Sequence, residues 1–200
     1  MSMPYSVIYC DKCDYRGASH VMWGLFKYRF DDGHETYMDR LLGWCSDCKS
    51  VRPVEDLPHP AVIDRKLIEA RDHLRQLTAN VAWNWVASAL SRERRSEVRK
   101  LREKEADWTH IQRMMTLRAA PPRCLQCGST STMPLPLRVE GSNRYDYGIG
   151  MAHPGCGGAL HVRDSGGTRL AIRGKTRIYS PNGELIDELA DDYGIASIPA

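Results

Sequence analysis

The sequence predicts an α+β chain in which small antiparallel sheets at both ends flank a central helical hairpin. Three observations predict it: cysteines paired near both ends, apolar residues at helical period through the middle, and alternating runs broken by turn residues on either side. Two hundred residues correspond to one domain or to two or three small modules. A charged fraction of 26% and a hydrophobic fraction of 42% exclude disorder throughout. The net charge of +3 is too weak to imply a polyanionic partner by itself, so nucleic-acid contact has to come from local clustering. No run approaches the ~18 apolar residues that span a bilayer, and Met1-Ser2-Met3-Pro4-Tyr5 has neither a basic nor an apolar leader region. The expectation is a cytoplasmic chain without a membrane partner.

The seven cysteines form three pairs, Cys10-x-x-Cys13, Cys45-x-x-Cys48 and Cys124-x-x-Cys127, plus Cys156. His153 stands three residues before Cys156 and completes a fourth turn of the same spacing. Eight donors in four turns suit two four-coordinate zinc sites, because two soft ligands three residues apart supply half a tetrahedral shell. His161 is an alternative to His153, but only His153 repeats the spacing of the other turns. Glycine after the second ligand, as in Cys127-Gly128 and Cys156-Gly157, eases the turn; Cys13-Asp14 and Cys48-Lys49 are less regular. Disulfides and a thioredoxin-like role are the rival readings. Paired spacing in an intracellular chain favours metal over the first, and the absence of a βαβ pattern speaks against the second.

On these motifs, residues 5–55 and 120–180 resemble zinc ribbons, in which two such knuckles cap a small antiparallel sheet. The resemblance implies two structural zinc ions, one held by Cys10, Cys13, Cys45 and Cys48, the other by Cys124, Cys127, His153 and Cys156. It implies an N-terminal ribbon over residues 1–58, a helical hairpin or long helix over 59–118, a C-terminal ribbon with an extended hairpin over 119–190, and an acidic tail over 191–200. One departure stands out: Asp14 to Trp44 and Gly128 to Ala152 are longer than the ~15–20 residues that usually separate two knuckles.

Val21 to Phe30, the turn Asp31-Asp32-Gly33 and Thr36 to Trp44 read as a hairpin. One face carries Met22, Phe26, Tyr28 and Phe30 and is expected to pack against the helices, with base stacking as the lesser reading. Pro60 opens a helix in which Ile63, Leu67, Ala70, Leu74, Leu77 and Val81 form a heptad seam. A second seam runs through Val98, Leu101, Trp108, Ile111 and Met115 until Pro121-Pro122. The seams lose register through Thr78 to Ser91, so two helices or one long bent helix remain open, the latter implying a coiled-coil partner; the seam also offers a route to a homo-oligomer.

Arg92 to Lys104 is the densest charge run: Arg92, Arg94, Arg95, Arg99, Lys100, Arg102 and Lys104 against three acids. Such runs are commonly solvated faces, and here the excess also offers a phosphate-binding patch centred on Arg92, Arg94, Arg95, Arg99, Lys100 and Arg102. Toward the C-terminus, Asn182-Gly183 between alternating runs predicts a hairpin extending the second ribbon's sheet. The segment from Glu184 carries Glu184, Asp187, Glu188, Asp191 and Asp192 without a base, and is expected to fold over the basic helix or stay mobile.

Two near-motifs fail. Gly174-Lys175-Thr176 lacks the upstream glycine and following helix of a phosphate loop, and His34-Glu35-Thr36-Tyr37-Met38 lacks the second histidine of a zinc protease. Catalytic zinc needs an open position, whereas both inferred sites are closed. The leading expectation is therefore a non-enzymatic adaptor presenting surfaces to a macromolecular partner, a protein before a nucleic acid. An enzyme or enzyme subunit assembled from His20, His34, His59, His73 and His110 is the third reading, which a cleft holding two of these histidines near a carboxylate would favour.

Overall fold

Alternating and helical runs become, in the computed structural model, strands and helices over the described residues 3–79, 92–136, 146–168 and 175–190. In chain order these are β1 (Met3–Cys10), β2 (Arg16–Ala18), a 3-10 turn (Ser19–Met22), β3 (Leu25–Arg29), β4 (Glu35–Tyr37), β5 (Arg40–Cys45) and β6 (Ser50–Glu55). There follow α1 (Pro60–Ala79), α2 (Arg92–Leu117), β7 (Thr132–Pro134), β8 (Asp146–Ala152), β9 (Ala159–Thr168), β10 (Lys175–Tyr179) and β11 (Leu185–Ala190). The described residues thus form an α+β fold of two helices and three small sheets. The chain divides into a unit of residues 1–29, 37–57 and 121–200 and a unit of residues 30–36 and 58–120.

In the first unit one sheet has the order β2-β1-β9-β8 and another the order β6-β5-β7. Both are antiparallel, with Cys10 opposite Leu160 in the first and Cys45 between Ser50 and Thr132 in the second. This nesting corrects the predicted grouping of ligands. Pairing of β1 with β9 brings the first knuckle beside the fourth, and pairing of β5 with both β6 and β7 brings the second beside the third. Each sheet is therefore built from strands at both ends of the chain. The sheets also share a core, since Ile8, Cys10, Ile149, Met151 and Leu160 of one cluster with Trp44 and Val51 of the other. Burial of such side chains is worth ~1.5–3 kcal/mol each, which ties the sheets together.

The Asn182-Gly183 turn forms as expected, with Gly183 at φ 79° and β10 antiparallel to β11. Its strands do not extend the β8–β9 sheet, however. β10 lies parallel to β3 in a separate sheet of order β11-β10-β3-β4. Phe26 there is fully buried and stacks on Tyr179, with ring centroids 6.2 Å apart, so it cannot receive a base. The buried Tyr28 donates to the Glu55 carboxylate at 2.9 Å. The predicted aromatic face is thus divided: Phe26 and Tyr28 belong to this unit's core, Met22 ends the 3-10 turn, and Phe30 packs on His110 of α2 at 4.8 Å.

In the second unit the helices run antiparallel. Asp64 accepts from Gln112, Arg71 meets Glu105 at 2.9 Å and His73 meets Glu97 at 3.6 Å, so residue numbers fall along one helix as they rise along the other. His59 caps α1 by accepting the Ala61 amide on its ring Nδ1, ahead of Pro60 in the first turn. Ile63, Leu67 and Ala70 are buried as the seam requires. On α2 the buried pair is Ile111 and Met114, while Met115 is only half-buried: the seam steps by three at this point rather than four. Val81 and the linker tryptophans Trp83 and Trp85 lie outside the described residues.

Candidate metal centres

Two donor clusters lie in the first unit. Cys10, Cys13, His153 and Cys156 form one, and Cys45, Cys48, Cys124 and Cys127 the other, with the donor atoms of each within 4.8 Å of one another. In the first, Cys10 and Cys156 sulfurs are 3.4 Å apart, and His153 Nδ1 is 3.3 Å from the Cys13 sulfur and 3.2 Å from that of Cys156. In the second, the Cys45–Cys127 and Cys48–Cys124 sulfur pairs are 3.6 and 4.0 Å apart. A tetrahedron with metal–sulfur bonds of ~2.3 Å has edges of ~3.8 Å. Separation and donor softness therefore fit two metal ions. All eight ligands named from sequence are used, as one Cys₃His and one Cys₄ set, but each set joins knuckles from opposite ends of the chain.

Three of the four turns that present these donors place a left-handed residue after the second ligand, and Asp14 in the first knuckle does not. Gly128 and Gly157 have φ near +70°, and so does Gly150 outside the knuckles; Lys49, in the same place after Cys48, is forced to φ 49°. Amide N–H groups of Lys12 and Cys48 point at the sulfurs of Cys10 and Cys45, 3.4 and 3.5 Å away. Burial pushes the Cys10 thiol up, but the Lys12 amide and Cys156 outweigh it and hold Cys10 below its ordinary range. At Cys45 burial is likewise outweighed, by the Cys48 amide and by Cys127. Burial, reinforced by Cys127, pushes Cys48 up to about 11, and burial also raises Cys124. Each cluster thus favours ionising one thiol and resists several negative charges unless a cation neutralises them. Four protein donors fill a tetrahedral shell, so a metal bound there acts as a cross-link with no position left for a reacting water.

His153 is fixed by its surroundings. Its ring stacks on Tyr15 at 4.8 Å and meets Trp44 edge-on at 4.9 Å, and the Tyr15 hydroxyl accepts the Val51 amide at 2.8 Å. Tyr15 and Trp44 therefore link the Cys₃His cluster to the neighbouring sheet, a role that alternation alone does not reveal. His161 is excluded as a ligand: it stacks on Tyr9 at 5.3 Å and points its Nε2 toward Asp11 at 3.8 Å. Asp11 accepts the Ala159 amide at 2.7 Å and so fastens the first knuckle to the fourth.

The other sequence-derived residues scatter. His73 pairs with Glu97, His59 is a cap, and His20 lies on the 3-10 turn with its side chain outside the described residues. His34 and His110 do meet within the second unit, stacked at 4.2 Å, with Nε2 of His34 on Asp107 and Nε2 of His110 on Asp32, each at 2.8 Å. The second nitrogen of His110 is held by the Ala106 carbonyl, so this ring is occupied as a tether. Burial lowers the His110 pKa but the Asp32 hydrogen bond outweighs it and raises it overall, and His110 in turn lowers that of Asp32.

Arg95, Arg99, Lys100 and Arg102 are exposed or half-exposed on α2; Arg92 and Arg94 lie on the same helix, but their side chains fall outside the described residues. The described acids of α2 are engaged: Glu97 by His73, Glu103 by Arg99, Glu105 by Arg71 and Asp107 by His34. Arg95, Lys100, Arg102 and Lys104 make no ion pair to another described residue. Among the described residues, the C-terminal acids pair elsewhere. Glu188 binds Lys175 and Arg177 of the adjacent β10, Asp187 faces Arg29 of β3, and Glu184 in the turn faces Arg123, all inside the first unit. Asp191 and Asp192 lie outside the described residues. Among the described residues no helix is long and apolar enough to cross a membrane. The chain matches no protein-family model, no curated protein and no solved structure, so its clusters are read from their own geometry.

Proposed function

We propose that this chain is a non-enzymatic scaffold in which two structural zinc ions fix a pair of interlaced ribbons that present surfaces to a macromolecular partner, a protein. The observation that carries the reading is the filled shell of each cluster: four soft donors at tetrahedral separations favour zinc over harder cations and leave it inert. The reading takes the chain to be cytoplasmic, where such thiols bind metal rather than oxidise. The surface we assign to a protein partner is β11, an edge strand whose Leu185, Ile186 and Leu189 are about half exposed (47–52%). An unpaired edge with apolar side chains is a site for association. The test is cross-linking in the native cell of the wild type and of a Leu185→Lys, Leu189→Lys double variant, both shown to hold two zinc ions. Loss of one protein adduct in the variant supports the reading; identical adducts refute it.

A second reading is favoured by the cations of α2 that pair with no acid among the described residues, Arg95, Lys100 and Arg102, with Arg99 beside Glu103 on the same helix: the chain binds nucleic acid through these four. A salt titration separates the two readings, because each phosphate contact steepens the fall of log affinity with log salt. Binding to polyanions that is insensitive to salt, or absent, removes this second reading.

A further inference from the structure

The α1–α2 seam has a gap. Along α2 the apolar period passes from Leu101 to Trp108, and the position between them on that line is Lys104. Across from it on α1 stands Ala70, too small to fill the space. A cavity of about 390 Å³ results, lined by Ala70, Leu101 and Trp108 with Lys66, His73 and Lys104 around it. That volume lies in the range of pockets that take a small organic group.

We infer that this groove binds single-stranded nucleic acid, with one base stacked on Trp108 and the adjoining phosphates on Lys104 and Lys100. The inference rests on the nucleic-acid reading above and narrows it to a place and a strand form. Lys100, Lys104 and Trp108 follow one another at four-residue steps, a single line along the helix with ~6 Å between successive positions. Lys100 and Lys104 have no ion pair to another described residue, whereas the negative group at the rim, Glu69, is taken by Lys66 at 3.0 Å and Arg65 at 3.9 Å, and Glu97 by His73. Among the described residues, Lys104 at the rim and Lys100 one turn beyond it are thus unpaired cations, whereas Lys66 and His73 are already paired with Glu69 and Glu97. An indole beside free ammonium groups matches an unpaired base with its phosphates; bases inside a duplex have no exposed ring face to offer. An acidic peptide would satisfy the lysines and leave the aromatic wall unused.

The test is fluorescence anisotropy of the zinc-loaded chain with a labelled 20-nucleotide thymidine oligomer and with the corresponding duplex, across a salt series and with polyglutamate as competitor. The single strand is expected to bind more tightly than the duplex. Trp108→Leu is expected to weaken single-strand binding roughly tenfold with an unchanged salt slope. Lys104→Gln is expected to reduce that slope by ~0.7. Zinc content and helix signal check each variant, and where Trp108→Leu does not fold, the preference of the wild type for single strand over duplex and the salt slope of Lys104→Gln decide. Equal binding of duplex and single strand, or indifference to Trp108, overturns the groove while leaving the basic helix as a general polyanion site. Polyglutamate competing as well as the oligomer also overturns it. No nucleic-acid binding at all sinks the broader reading together with this one.

Discussion

Removing one ligand from each cluster in turn tests the nested pairing of knuckles, because nested and sequential arrangements leave different metals behind. Cys10→Ser breaks the set of Cys10, Cys13, His153 and Cys156, in which sulfurs stand as close as 3.4 Å, and leaves the four-cysteine set intact. Zinc binding to small domains is worth an apparent ~10–16 kcal/mol. That is comparable to the whole ~5–15 kcal/mol stability of an ordinary domain, so a three-ligand remnant is not expected to retain its ion or its sheet. The retained ion should therefore see four sulfurs at ~2.3 Å and no nitrogen. Native mass spectrometry and zinc X-ray absorption read this directly. The double variants sharpen it. Cys10→Ser with Cys156→Ser removes two ligands of one ion and should still hold one zinc, at little further cost because the two effects are not additive. Cys10→Ser with Cys45→Ser should hold none. A nitrogen at ~2.0 Å around the ion left in Cys10→Ser, or one zinc retained by the Cys10–Cys45 double variant, would refute the nesting.

The backbone predicts that Lys49→Gly stabilises the chain by ~0.5–1 kcal/mol, since glycine removes the left-handed penalty at φ 49°; an unchanged or lower urea midpoint would contradict this. A β-carbon on Gly158 would lie 2.6 Å from the Cys10 sulfur and 2.5 Å from the Lys12 Cβ, so Gly158→Ala should weaken zinc affinity of the Cys₃His cluster selectively, as read by chelator competition. Tyr28→Phe leaves the buried Glu55 carboxylate short of one donor and should cost ~1–3 kcal/mol in a thermal melt. The His110–Asp32 pair gives a pH window. His110, with its raised pKa, contributes fully below the ordinary imidazole range and fades as pH rises through its folded value; Asp32, with its lowered pKa, contributes above the ordinary carboxylate range and fades as pH falls through its own. The stability difference between wild type and Asp32→Asn should therefore peak in mildly acidic solution and shrink toward both strong acid and alkaline pH, and a flat difference would exclude the linkage.

Much of this arrangement was legible without coordinates wherever the cause is local. Spacing three residues apart picks out the eight donors that the structure gathers into two clusters, because a knuckle is one turn of chain, and the Asn182-Gly183 turn and Pro60 helix start follow from backbone preferences of the residues themselves. The choice of His153 over His161 also rested on spacing, and the stacking of His161 on Tyr9 agrees with it. Lys49 stands where glycine follows the third and fourth knuckles, but only the folded backbone shows that it takes the same left-handed conformation. The unusual length of the Asp14–Trp44 and Gly128–Ala152 segments reads, from sequence, as longer hairpins within ribbons of consecutive knuckles, whereas the structure pairs the first knuckle with the fourth and the second with the third.

By itself, then, the chain's order of residues determined which side chains are candidate metal ligands, that both ends form strands and that the middle forms helices. Tertiary structure alone decided how four equivalent knuckles combine, since three pairings satisfy the same ligand chemistry and local spacing distinguishes none of them. The choice falls to contacts between residues more than a hundred positions apart, β1 with β9, and to a core in which Trp44 and Val51 pack among Ile8, Ile149 and Leu160. The same reason explains the parallel placement of β10 on β3 and the engagement of the C-terminal acids by strand bases: non-local pairing energy has no period along a sequence.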